Sequence, residues 1–259
     1  MNYRWFRVAR GFFAQAEPIL TATGFVSEID RINKGIKSDN LEAMMDVAST
    51  HDTPRFSTSF YNKTMDKYKA KPSENTDYKI NKPDQHTRKE QIMLLIHQFT
   101  FIGAPHIWNG EEVGMWGADD PDCRKPLVWN DITYEDERAA YDPEKSRPVD
   151  VVKPDTALRL FYKKICRIRK ENRVLIYGGL KFTLADDQKM VLAYRRTIEN
   201  DEIEVVFNRS DSPRIVTIPV ADDGKFEDLL SPGNILYESA DKKIEIRLEP
   251  LSGMILKKE

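Results

Sequence analysis

Two short stretches of the sequence gather side chains able to hold a polar ligand. Ser49-Thr50-His51-Asp52-Thr53-Pro54-Arg55 sets an imidazole beside a carboxylate, and Asn109-Gly110-Glu111-Glu112-Val113-Gly114-Met115-Trp116-Gly117 sets two acids and an indole after a turn. Hydroxyl, imidazole and carboxylate groups together donate and accept hydrogen bonds in several directions. A His-Asp pair is weak on its own, because turns favour Asp and a histidine can cap a helix. Position strengthens it. Each stretch follows a short apolar run, and parallel-sheet α/β proteins carry their function at the carboxyl ends of strands.

The elements that must position these residues follow from pattern. Residues 44–48 form the first apolar run and residues 104–110 the second, read as a strand ending in a turn. Between them, residues 69–85 hold Pro72, Pro83 and four lysines, which predicts an exposed loop. Thr87-Arg88-Lys89-Glu90 fits a capping box. The helix it opens is apolar on nearly all sides over residues 92–96 and 99–102, so it is expected to be buried, and Gly103 suits its end. Residues 111–150, rich in Gly, Asp and Pro, predict a long ordered loop. Helical spacing returns over residues 155–170, where Leu158, Phe161, Tyr162, Ile165 and Ile168 share a face.

After about Arg173 the texture changes to short β-rich runs at residues 191–194, 203–207, 214–218, 243–248 and 253–256, separated by turn clusters. That spacing is the habit of an antiparallel sandwich or barrel. Ile244, Ile246 and Leu248 alternate with charged residues as a half-exposed strand does. Two domains are therefore expected, residues 1–173 and 174–259.

Composition narrows the classes of function. With 40 basic and 42 acidic residues in 259, the net charge of −2 argues against a nucleic-acid partner, which calls for a clustered basic excess. No apolar run approaches the ~18 residues of a membrane span, so no membrane partner is expected. Two cysteines, Cys123 and Cys166, give neither a disulfide framework nor a zinc spacing, and no metal site is read.

The motifs in order resemble a known family. Val47-Ala48-Ser49-Thr50-His51-Asp52-Thr53-Pro54-Arg55 resembles the fourth conserved region of the α-amylase family of glycoside hydrolases (family 13), at the end of the seventh barrel strand. Residues 103–115, Gly-Ala-Pro-His-Ile-Trp-Asn-Gly-Glu-Glu-Val-Gly-Met, resemble its eighth strand and exit, and Asp120-Pro121-Asp122-Cys123-Arg124-Lys125-Pro126 matches its aspartate-proline and downstream arginine. Met1-Asn2-Tyr3 resembles the end of the sixth strand, especially in the neopullulanase and cyclomaltodextrinase branch. Phe207-Asn208-Arg209-Ser210 and Glu249-Pro250-Leu251-Ser252-Gly253 fall where the family's β-sandwich domain C has its landmarks.

The resemblance implies an α/β plus all-β fold: the carboxyl-terminal portion of a (β/α)₈ TIM barrel, strands 6 to 8, followed by an antiparallel β-sandwich. It implies a retaining hydrolase of α-1,4-glucans, with an α-glucan oligosaccharide as partner. Asp52 matches the third catalytic acid, which holds ring hydroxyls as the sugar distorts. His51 matches the neighbouring histidine on the same sugar, and Asp120 with Arg124 the pair that grips the next one. Hydroxyl contacts that strengthen as the ring flattens stabilise the transition state. Plainer roles stay open, a helix cap for Asp52 and a loop-bracing ion pair for Asp120 and Arg124. Trp108, Trp116 and Trp129 either stack on sugars or pack the loop. Glu111 and Glu112, as neighbours, point apart and cannot flank one glycosidic bond.

The family's nucleophile and general acid belong to the fourth and fifth strands, before the Met-Asn-Tyr segment. The expectation is that this chain supplies one of three catalytic acids and has no hydrolase turnover alone. It is also expected to self-associate through the open barrel edge. No cofactor is read; calcium, which some members bind, and cellular location are not legible here.

Overall fold

The computed structural model describes residues 1–138 and 149–259. Three helices open the chain: α1 (Tyr3–Phe13), α2 (Ala22–Asn33) and α3 (Ser38–Ala43). Strand β1 (Met45–Val47) follows, then α4 (Phe56–Tyr61), the long helix α5 (Gln85–Thr100) and strand β2 (Ala104–His106). β1 and β2 pair in parallel, Asp46 opposite Pro105, which puts both strand exits on one side. Met1-Asn2-Tyr3 makes one strand-like bond, Asn2 N–H donating to the Met45 carbonyl at 2.7 Å, before the chain enters α1.

Helix α5 shows what fixes the layer. Its residues from Met93 to Thr100 are all buried, as an apolar surface on every side requires. Its cap differs from the sequence expectation. Asp84 accepts from the Thr87 N–H at 2.8 Å and begins the helix three residues earlier than a Thr87 capping box would. Glu90 does not reach back to the backbone; it is fully buried and takes Lys63, His86 and Arg209 as partners. The helix ends at Thr100, and Gly103 lies beyond it at φ 112°. A Cβ there would sit 2.7 Å from the Asp46 carboxylate, so only glycine fits the approach of this bend to β1.

The stretch before α5 is a loop, but not a wholly exposed one: Ala70, Tyr78 and Ile80 are buried and pack on Ala118. After β2, helix α6 (Thr156–Glu171), capped by Asp155, buries Leu158, Tyr162, Ile165 and Ile168, and α7 (Arg173–Tyr177) leads into the sheets.

The strands β3 (Gly179–Asp186), β4 (Val191–Ile198), β5 (Asp201–Asn208), β6 (Arg214–Pro219), β7 (Lys225–Asp228), β8 (Leu236–Glu238), β9 (Lys243–Leu248) and β10 (Ser252–Lys258) form a sandwich. One sheet has the order β3-β4-β5-β10-β7-β8 and the other pairs β6 with β9. Period-two alternation splits the residues of the large sheet. Val191, Ala193, Val206 and Leu256 face Val216, Ile218, Ile244 and Ile246 across the sandwich. Leu192, Tyr194, Val205, Phe207 and Ile255 face the helices, in one core with Trp5, Phe12, Phe13, Phe25 and the apolar residues of α5.

Two buried polar side chains cross that seam. His97 of α5 accepts from the Trp5 indole N–H at 3.1 Å and meets the Tyr194 hydroxyl at 3.1 Å. Arg196, fully buried on β4, donates to the carbonyls of Thr100 and Phe101 at the end of α5 and to those of Leu175, Gly178 and Gly179. Among the described residues, no helix is long and apolar enough to cross a membrane.

Candidate functional site

The site grows from the exit of β1. After Val47 the chain turns through Ser49 to Pro54, with the Thr50 N–H donating to the Thr53 hydroxyl at 2.9 Å and the Asp52 N–H to the Thr50 hydroxyl at 3.1 Å. These local bonds hold the turn and leave the His51 and Asp52 side chains half in solvent, Nε2 of His51 3.3 Å from Oδ2 of Asp52. Helix α4 begins at Phe56 with no side-chain cap, so Asp52 does not serve as one.

A buried node underlies the turn. Arg55 and Glu111 are each 1 % exposed, with Nη1 and Oε1 3.8 Å apart. Glu111 also accepts from the Ser49 hydroxyl at 2.7 Å and from the Phe56 N–H at 3.3 Å. Burial drives the Glu111 carboxyl above the usual carboxylate range, opposed by the charge of Arg55. Arg55 donates to the Asn109 carbonyl at 2.9 Å, tying the two strand exits together. Gly110, at φ 94°, gives this node its room: a Cβ would lie 2.4 Å from the Met115 sulfur and 3.2 Å from the Arg55 guanidinium. Glu112 turns elsewhere and accepts from the Gly110 N–H at 2.9 Å, so the adjacent acids do point apart.

The second strand exit then folds back over the first. Asp122-Cys123-Arg124 forms a single helical turn, from which Arg124 reaches three acceptors. Its Nε lies 2.5 Å from Oδ1 of Asp120 and donates to the His51 carbonyl at 3.1 Å, while Nη2 reaches Oδ1 of Asp52 at 3.2 Å. The four residues singled out from sequence, His51, Asp52, Asp120 and Arg124, thus form one half-exposed cluster. Ion pairs this exposed contribute about 0–1 kcal/mol each.

Two further residues grip the same turn. The Cys123 thiol donates to the His51 carbonyl at 3.3 Å and burial pushes it up to about 11, and the Lys67 ammonium donates to the Asp52 carbonyl at 3.1 Å. Cys123 lies inside the 120–126 motif, which gave it no role of its own, and Lys67 lies in a loop whose course only tertiary contacts fix. Of the tryptophans, Trp108 stands beside His51 with ring centroids 5.9 Å apart; Trp116 is buried under Lys82 and Lys125; Trp129 is exposed. Among the described residues, no three His, Cys, Asp or Glu side chains converge as metal ligands would.

The arrangement suits a neutral polyhydroxyl ligand: carboxylates accept from hydroxyls, the guanidinium and imidazole donate, and an indole lies alongside. No family model matches the chain. It is 28% identical over 226 residues to a cyclomaltodextrinase of Geobacillus thermopakistaniensis, covering 87% of this chain and 31% of that one. It is 26% identical over 258 residues to neopullulanase 2 of Thermoactinomyces vulgaris, covering 99% and 36%. In structure it matches a cyclomaltodextrinase with a TM-score of 0.73 and 22% identity, over 100% of this chain and 36% of that one. The chain thus spans about a third of the length of the curated relatives it matches.

Proposed function

We propose, for a chain with homologues among the cyclomaltodextrinases and neopullulanases of the α-amylase family along its length, that the β1 exit is a binding site for α-glucan oligosaccharides. The observation that carries this reading is the convergence of both strand exits on Arg124: residues 51–52 and 120–124 meet through one guanidinium, half open to solvent. In a retaining glycoside hydrolase, Asp52 and His51 would hold the hydroxyls of the sugar that distorts, and Asp120 with Arg124 the next sugar. Bonds that shorten as the ring flattens lower the barrier without touching the bond that breaks.

The isolated chain is proposed to bind without turnover. Retaining chemistry needs a nucleophile and an acid about 5–5.5 Å apart. Glu111 is buried on Arg55 and Glu112 is turned to the backbone, and the family motifs present assign neither role to any residue here. A second reading is favoured by the same guanidinium: Arg124 braces the His51 carbonyl and both aspartates, which suits a purely structural loop lock.

Calorimetric titration with maltoheptaose separates the two. The α-glucan reading expects saturable binding that Asp52→Ala abolishes while the fold persists by circular dichroism. No binding by the unaltered chain would leave only the structural role, and hydrolysis that survives Asp52→Ala would overturn the proposed placement of the chemistry.

A further inference from the structure

Tyr68 is 84% exposed, an unusual place for a large aromatic ring, since an aromatic body set in water forgoes the burial that it could gain inside. The backbone beneath the ring is well held. The ring rides on a single helical turn, Lys67–Lys69, where Asp66 accepts from the Tyr68 N–H at 3.0 Å. The Asn75 amide donates to the Lys69 carbonyl at 2.8 Å, and the next residue, Ala70, is fully buried against Tyr78, Ile80 and Ala118.

The turn is also tied to the site on two sides. Lys67 donates to the Asp52 carbonyl, and the Asp119 N–H, next to Asp120, donates to the Ala70 carbonyl at 3.0 Å. Tyr68 is therefore displayed at a fixed place within one lysine side chain of the His51–Asp52 turn. Beside it opens a cleft of about 550 Å³, with Thr64, Lys69 and Glu74 on its walls. An exposed ring face next to a hydroxyl, an ammonium and a carboxylate has the chemistry that recognises a pyranose: apolar C–H groups lie on the ring and hydroxyls meet the polar walls.

We infer that Tyr68 and this cleft form a further sugar-binding position, stacking a glucosyl unit of the same α-glucan chain whose neighbouring units lie at His51 and Asp52. The inference rests on the α-glucan reading of the main site. The turn that carries the ring is ordered before binding, so no loop has to be organised to present it.

The test is calorimetric titration of the full chain with maltoheptaose, using wild type, Tyr68→Ala, Tyr68→Phe and Asp52→Ala. The side chain is exposed, so the Tyr68 variants are expected to fold as wild type does. Tyr68→Ala should weaken binding about three- to tenfold, the worth of one aromatic stacking contact, and Tyr68→Phe should restore it. Binding that Asp52→Ala removes but Tyr68→Ala leaves unchanged overturns this inference alone. No binding by wild type overturns the α-glucan reading and the inference with it. Binding weakened by Tyr68→Ala but not by Asp52→Ala overturns the inference as stated, because the stacked unit would then have no neighbour at Asp52.

Discussion

His97 and Asp46 are titratable groups that the fold has removed from water, and they bend stability in opposite directions. His97 accepts the Trp5 N–H at Nε2, so its own proton sits on Nδ1 toward Tyr194, and burial drives the imidazole down to about 3. Its unfolded value is near 6.5, so the stability that the neutral ring contributes is complete above pH 6.5 and is lost as pH falls toward 3. Asp46 has one oxygen 3.2 Å from the Asn2 amide and the other unpartnered, and burial lifts it to about 8. Its contribution is complete below pH 3.8 and is lost as pH rises through 8. Between pH 4.5 and 6.5 the two slopes oppose, each roughly 1.4 kcal/mol per pH unit at most. Urea unfolding at those two pH values should show that His97→Gln lowers the gain in stability on going to pH 6.5, whereas Asp46→Asn raises it. A pH response equal to wild type in either variant would show that the group does not titrate as its burial requires. The residues proposed to face a ligand, His51, Asp52, Asp120 and Arg124, were legible at this scale because a motif names them. Lys67 was not, since nothing near it in sequence says that it meets the His51–Asp52 turn.

Among the elements, α5 shows where local pattern and tertiary demand part. Thr87 and Glu90 have the spacing of a capping box, yet Glu90 is claimed by Lys63, His86 and Arg209, and Asp84 takes the cap instead. Asp84→Ala is expected to cost about 1 kcal/mol in urea unfolding and Asp84→Asn much less, because the amide oxygen still accepts from the Thr87 N–H. An unchanged midpoint for Asp84→Ala would place the helix start elsewhere. The strands were the most legible elements: β9 buries Ile244, Ile246 and Leu248 in alternation, as its sequence reads. The short parallel pair β1–β2 was legible as apolar runs, but its length was not. The chain leaves each strand after three residues, and the buried Arg55 ties the two exits together through the Asn109 carbonyl.

At the scale of the whole molecule, the core does not respect the change of texture near residue 173. Phe13, Phe25, His97, Tyr194 and Phe207 contact one another ring to ring across it. A shared core of this kind predicts one cooperative transition. All four tryptophans lie at or before residue 129, so their fluorescence follows the helical part, whereas far-ultraviolet circular dichroism also follows the sheets. The two signals are expected to give coincident urea transitions, and separated midpoints would mean that the two parts unfold independently. Composition could place a β-rich segment after a mixed one. It could not disclose that one face of the large sheet is finished by helices that precede it.

Arg196 bears on how this sandwich could be moved between proteins. Its guanidinium has five carbonyl partners, none from the sheets' second layer and two from the end of α5. A graft cut at the first strand would keep the Gly179 carbonyl and lose the other four, carrying a buried cation into a host with few acceptors arranged to receive it. The portable unit is therefore the sandwich together with α5 and α7, and a donor boundary drawn by secondary structure alone would sever the joint it was meant to preserve.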